Sequence, residues 1–137
     1  VRLADTNILL YAISRDPDEQ EKAAQANEIL SAGDVGLSVQ VLQEFYVQAT
    51  RETRRDRLTH EQASALVDSF RRFHVQETTI DIMLAAMSTA QQFGISYWDA
   101  AILEAARTLG CTVVLSEDLN DGQDYAGVRV ENPFGDR

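Results

Sequence analysis

Several residue types that would anchor particular architectures are scarce in this chain. Cys111 is the only cysteine among 137 residues, which excludes an intrachain disulfide and a cysteine-built zinc cluster. Two prolines and seven glycines leave no collagen-like repeat, low-complexity tract or Pro-rich linker. No apolar run approaches the roughly 20 residues needed to span a bilayer. Positive charge is sparse as well. Twelve basic residues against 22 acidic give a net charge of −10, which argues against a broadly basic nucleic-acid coat but leaves room for a local basic patch. Lys22 is the only lysine. The opening Val1-Arg2-Leu3-Ala4-Asp5 carries charge early and lacks the layout of a signal peptide, so a cytoplasmic location is expected.

What is present suits one globular domain spanning 1–137, with 45% apolar and 25% charged residues and no internal repeat. Residues 2–5 read as a short strand, and 8–13 as a segment too apolar all round for a surface helix. Asp16-Pro17-Asp18-Glu19 opens a helix to about residue 30, with acids in its first turn as the helix dipole favours. Residues 33–36 read as a turn and 37–39 as a brief strand. Val41, Leu42, Phe45, Tyr46 and Ala49 then follow at helical spacing. Thr59-His60-Glu61-Gln62 has the capping-box form and leads a further helix. A weak strand over 75–78 precedes a helix over 80–93, stopped by Gly94. Ser96-Tyr97-Trp98-Asp99 is a second capping-box pattern, and Trp98, Ile102, Ala105, Ala106 and Leu109 form the apolar stripe of its helix, ended by Gly110. The β-branched run 111–115 has the character of a strand buried on both faces of a parallel sheet, and 128–130 adds a last strand. Short strands alternating with longer helices define an α/β fold, a short parallel sheet flanked by helices on both faces.

Acids are dense here, so position carries the information. Asp5 ends the first strand, Asp118 lies just past the strand at 111–115, Glu44 sits in the helix after the second strand, and Asp99 in the first turn of the helix before 111. In a parallel α/β sheet, strand C-terminal ends and helix N-terminal ends share the edge where ligands bind. Two carboxylates about 4 Å apart repel by roughly 4 kcal/mol at an effective dielectric near 20. Such a cluster either raises a pKa or takes a divalent cation, and an all-oxygen donor set suits Mg²⁺ or Mn²⁺ rather than zinc. The chemistry that follows is metal-assisted phosphodiester hydrolysis. Each acid also has a plainer reading. Asp5 could cap the following helix, Asp99 could complete the Ser96 capping box, and Asp118 could shape the turn 118–122. Glu44 lies well off the centre of its helix's apolar stripe, so periodicity makes it solvent-facing.

Four segments together resemble PIN-domain ribonucleases, in particular VapC-type toxins of bacterial toxin–antitoxin pairs. They are Asp5-Thr6-Asn7-Ile8-Leu9-Leu10-Tyr11-Ala12, Leu42-Gln43-Glu44-Phe45-Tyr46, Ser96-Tyr97-Trp98-Asp99-Ala100-Ala101-Ile102 and Leu115-Ser116-Glu117-Asp118-Leu119-Asn120-Asp121-Gly122. They run in the family's order over nearly the whole chain. The resemblance implies a PIN-like three-layer sandwich and an endoribonuclease toxin. It makes Asp5 and Asp99 the principal metal ligands, with Glu44 and Asp118 completing a catalytic pocket and Asp121 as an additional acid. Thr6 and Ser116 match hydroxyl positions that support the acids. It also implies an Mg²⁺ (or Mn²⁺) cofactor, an RNA substrate, a cognate VapB-type antitoxin and a homodimer, within a larger toxin–antitoxin complex. The helices over 20–53 are the expected partner or dimer surface.

Arg51, Arg54, Arg55 and Arg57 stand within seven residues of an otherwise acidic chain. They read either as a phosphate-gripping patch or as a solvated segment with local ion pairs. Arg71-Arg72 reads as ordinary surface, His60 and His74 as structural or exposed, and Trp98 as core. A phosphoacceptor receiver domain would also place acids on a parallel sheet, but it needs a lysine late in the sheet, and Lys22 is too early. A noncatalytic PIN-like binding module is the alternative to the enzyme.

Overall fold

In the computed structural model, residues 1–135 are described, and they form one six-stranded sheet flanked by six helices. In chain order the elements are β1 (Arg2–Ala4), α1 (Thr6–Ala12), α2 (Gln20–Ser31), β2 (Val35–Ser38), α3 (Val39–Ala49), α4 (His60–Phe70), β3 (His74–Gln76), α5 (Ile80–Phe93), α6 (Tyr97–Leu109), β4 (Val113–Leu115), β5 (Asp124–Tyr125) and β6 (Val128–Glu131). The sheet order is β3-β2-β1-β4-β6-β5, with every pairing parallel except β5 against β6. The first strand therefore lies centrally, and the chain leaves it toward β2 on one side and returns beside it as β4 on the other. That reversal is the switch point of a doubly wound sheet, where the crevice beyond the strand ends is open.

The central strands read as expected of strands buried on both faces. Leu3, Ala4, Leu37, Val114 and Leu115 are buried, and with Ile8, Leu9, Val41, Phe45 and Leu103 they make the main core. Each such side chain contributes about 1.5–3 kcal/mol when fully removed from water. Helix boundaries follow local chemistry. Thr59 and Gln62 make both bonds of a capping box at α4, and Gly94 and Gly110 end α5 and α6 in left-handed backbone at φ +65° and +86°.

Four expectations are corrected. The helix expected from Asp16 begins as a 3₁₀ turn over Pro17–Glu19 before α2, because Asp16 caps Asp18 rather than a full α-turn. Gly36 lies inside β2, not in a turn; a β-carbon there would stand 2.5 Å from Leu109 Cδ2, so its bareness lets α6 rest on the strand. Val39 opens α3 instead of ending a strand, since the Ser38 hydroxyl accepts from the Val41 amide as an N-cap. The two-residue β5 was not foreseen, and it makes the sheet's edge antiparallel.

Helix α6 also buries a charge. Glu104 is 5% exposed and accepts from the Thr89 hydroxyl on α5 at 2.9 Å and from Arg107 Nε at 3.1 Å. Arg107 in turn donates to the Tyr125 and Ala126 carbonyls, joining α5, α6 and the β5–β6 hairpin.

Candidate active site

Asp5 stands at the switch point, one residue beyond β1. It is the N-cap of α1: one carboxylate oxygen accepts from the Thr6 amide at 2.7 Å, and the other from the Ser116 hydroxyl, just past β4, at 2.7 Å. Its own amide donates to the Leu115 carbonyl, so β4 and β1 jointly set its position. The residue is 5% exposed, and burial pushes its carboxyl up to about 6. The bonds from Ser116 and Thr6 pull it back down, while the charges of Glu44 and Asp118 push it up further. Two further carboxylates thus act on Asp5 at the sheet's C-terminal edge, and among the described residues no lysine or arginine does.

The neighbours are held as firmly. Thr6 Oγ1 donates to one Glu44 oxygen at 2.8 Å, and Gln40 Nε2 to the other at 3.0 Å. The same Gln40 amide donates to the Trp98 carbonyl, tying α3 to the first turn of α6, where Asp99 lies. Glu44 is accordingly half-buried at the pocket rather than solvent-facing, because two specific bonds override its position on the helical wheel. Ser116 Oγ accepts from the Asp118 amide while donating to Asp5, and Asn7 Nδ2 donates to Asp118 Oδ2 at 3.2 Å. Gln40 and Asn7 carry no signal in periodicity. Asn7 could have been suspected from its place two residues after Asp5.

Asp99 and Asp121 are not among the charges that act on Asp5. The Asp99 amide donates to the Ser96 hydroxyl, but among the described residues the reciprocal carboxylate bond of a capping box is not made. The Asp99 charge acts on Tyr125, whose phenol burial and Asp99 together push up. Asp121 accepts from the Asn132 amide. Among the described residues no three His, Cys, Asp or Glu side chains converge closely enough to enclose a metal ion as they stand.

Trp98 is not core: it is 63% exposed. Its ring stands edge-on to Tyr97, and Tyr97 is the aromatic that packs on the small residues Ala86, Ala100 and Ala101. The arginine segment is mixed. Arg55 reaches Asp16 at 3.6 Å and is exposed, Arg57 Nε donates to the Thr50 carbonyl, Arg51 is exposed, and Arg54 is largely covered beside Asp56. His60 is exposed and bonds the Tyr46 hydroxyl, and His74 is exposed.

Exposed apolar side chains occur on the expected 20–53 surface, at Val47, and also away from it. Ile80, Met83, Leu84 and Met87 form one stripe on α5. Among the described residues no helix is long and apolar enough to cross a membrane.

Solved structures of the same shape include a toxin–antitoxin complex from Klebsiella pneumoniae, at 21% identity and TM-score 0.68, covering 98% of each chain. VapC20 of Mycobacterium tuberculosis, described as a sarcin-ricin loop cleaving toxin, is 16% identical at TM-score 0.67, over 86% of this chain and 92% of that one. VapBC2 of Rickettsia felis, bound to a DNA fragment from its promoter, is 18% identical at TM-score 0.65, over 96% and 97%. No curated protein matches. The PIN domain family model matches residues 2–124, and the chain belongs to that family.

Proposed function

We propose that this PIN domain is a divalent-metal-dependent endoribonuclease and the toxin of a toxin–antitoxin pair. The observation that carries this reading is Asp5: a buried carboxylate at the switch point, aimed by two hydrogen bonds, with two like charges acting on it and, among the described residues, no cation. The donor set fits a hard cation. Asp5, Glu44, Asp99 and Asp118 offer only carboxylate oxygens, and each Asp5 oxygen keeps a lone pair beyond its one hydrogen bond. Asp5 and Asp99 would be the principal ligands of Mg²⁺ or Mn²⁺, with Glu44 and Asp118 beside them; the mechanism does not use Asp121. When bound, the cation acidifies a water and offsets charge on the phosphoryl group under attack. Thr6 and Ser116 hold Asp5 in one rotamer. Gln40 and Thr6 orient Glu44, whose carboxylate is positioned to take a proton from the attacking water. Asn7 steadies Asp118 at the exposed mouth.

Two surfaces serve partners. A groove of about 690 Å³ between α3 and α4 is lined by Val39, Leu42, Tyr46 and Val67, and its Gln43 also borders the shallow face shared by Gln40, Glu44 and Trp98. An antitoxin helix in that groove would bring a basic side chain to Glu44, where the carboxylates attract it. The stripe on α5 receives a second copy of this chain. Asp81 is the only charged residue of that helix, so two chains of net charge −10 meet there with one carboxylate each rather than with two densely charged faces. Leu84→Asp should leave the protein monomeric in sedimentation, and a dimer of undiminished affinity would remove the stripe from the interface.

The direct test is RNA cleavage in excess chelator and after adding Mg²⁺ or Mn²⁺. Cleavage should cease with chelation and return with metal, and Asp5→Asn should lower it by about a hundred- to a thousandfold at metal concentrations that saturate the parent. Cleavage at full rate in chelator would overturn the metal mechanism. RNA left intact under every condition would favour a noncatalytic binding module.

A further inference from the structure

Arg54 faces a cavity that the acid pocket shares. The cavity, about 210 Å³, is lined by Asn7, Tyr11, Glu19, Gln48, Asp118 and Arg54 itself, so Asp118 and Asn7 are its common wall with the candidate active site. The Arg54 side chain is 19% exposed, and its Nε lies 3.0 Å from Asp56 Oδ1. That approach is off the N–H direction, and the buried Nε makes no hydrogen bond. Among the described residues no guanidinium nitrogen of Arg54 donates to any acceptor. Asp56 also accepts from the Arg15 amide. It anchors Arg54 by charge and leaves the fork's donors unused.

The other three arginines of the segment differ. Arg55 is 78% exposed beside Asp16, Arg57 spends its Nε on the Thr50 carbonyl, and Arg51 lies on the open surface. A guanidinium is planar, permanently charged and shaped for two oxygens of one phosphate. A neutral ligand would draw on the fork's donors but not on its charge, which Asp56 meets from one side only. A metal ion would be repelled by it. A backbone phosphate can accept from the terminal Nη donors while the buried Nε stays turned toward Asp56, and the shared wall places that phosphate beside the carboxylates.

We propose that Arg54 binds the RNA phosphate neighbouring the one that is cleaved, with Asp56 as its positioning residue. The inference rests on the nuclease reading of the acid pocket. Its test is binding of a short single-stranded RNA to Asp5→Asn protein, measured by fluorescence anisotropy over a series of salt concentrations. Adding Arg54→Ala should weaken binding about tenfold and reduce the slope of log K against log salt by about 0.7, the contribution of one phosphate on a single strand. Arg55→Ala should change neither quantity. Arg54→Lys, which keeps the charge and loses the fork, should retain the slope while losing part of the affinity, and it serves if Arg54→Ala does not fold. Asp56→Asn should weaken binding with the slope retained. An Arg54→Ala or Arg54→Lys protein that binds as tightly and with the same slope as its Asp5→Asn parent overturns the assignment and leaves the nuclease reading intact. An Asp5→Asn protein that binds no RNA even at low salt, from a parent that cleaves none, overturns both.

Discussion

Asp5 and Glu104 are both carboxylates 5% exposed in one small domain, and they are handled in opposite ways. Glu104 has a hydroxyl from Thr89 and Arg107 beside it, and the arginine's other donors reach two carbonyls. Its charge is answered inside the fold. Asp5 has donors of equal quality, the Thr6 amide and the Ser116 hydroxyl, but the charges that reach it are those of Glu44 and Asp118. One carboxylate ties three elements together, and the other holds a negative charge in readiness at the sheet edge. Burial alone therefore marks neither as functional. What separates them is whether the protein supplies the counter-charge.

Glu104→Ala is expected to break this contrast from the structural side. Removing one partner of a buried pair costs about 3–5 kcal/mol, and here about 2–3 kcal/mol is expected because the Arg107 side chain is 37% exposed and keeps its carbonyl bonds. Denaturant melts should show that loss, while RNA cleavage by the folded fraction stays at the parent level.

Asp5→Asn should move stability the other way, by less. A carboxyl whose pKa is about 6 when folded and 3.8 when unfolded binds its proton more tightly in the native state. The native state then loses stability as pH rises from about 4 to 6, a cost approaching 3 kcal/mol above that window. The amide avoids the cost but must still bury its own polar group, so a gain of about 1–2 kcal/mol is expected in chelator at pH 7.5. That advantage should shrink by about 2–3 kcal/mol as pH falls to 4 and change sign, because the parent carboxyl is then protonated in the native state while the amide keeps its own burial cost. Equal melting across that range would show that Asp5 is not charged at a cost.

Much of this arrangement is legible in the sequence. The helix over 80–93 agrees with α5 in both bounds, because Thr79 caps it and Gly94 ends it, and both signals are local. Asp5 reads in the sequence as the last residue of a strand over 2–5, whereas the strand ends at Ala4 and Asp5 is the N-cap of α1. The cap reading of Asp5 is what the structure shows, and a cap that fixes a carboxylate is compatible with a ligand. Glu44 was not legible from periodicity: its half-burial depends on Thr6 and Gln40, which lie on another element and another helical turn. Glu104 escaped because a glutamate amid alanines in a helix looks solvated, although Arg107 three residues on was a visible clue. Trp98 misled because size suggests burial, whereas the neighbouring Tyr97 points to the small-residue cluster and turns the indole outward.

The decisive comparison is a set of thermal melts of the parent, Glu104→Ala and Asp5→Asn proteins with increasing Mn²⁺ at pH 7.5. A cation bound only by the native state adds about 2.7 kcal/mol at a hundred times its Kd, a rise in Tm on the order of 10 °C for a domain of this size. The parent and Glu104→Ala should rise together from their different starting points, and Asp5→Asn should stay flat. If Asp5→Asn rises as the parent does, the cation binds elsewhere and Asp5 is a helix cap alone.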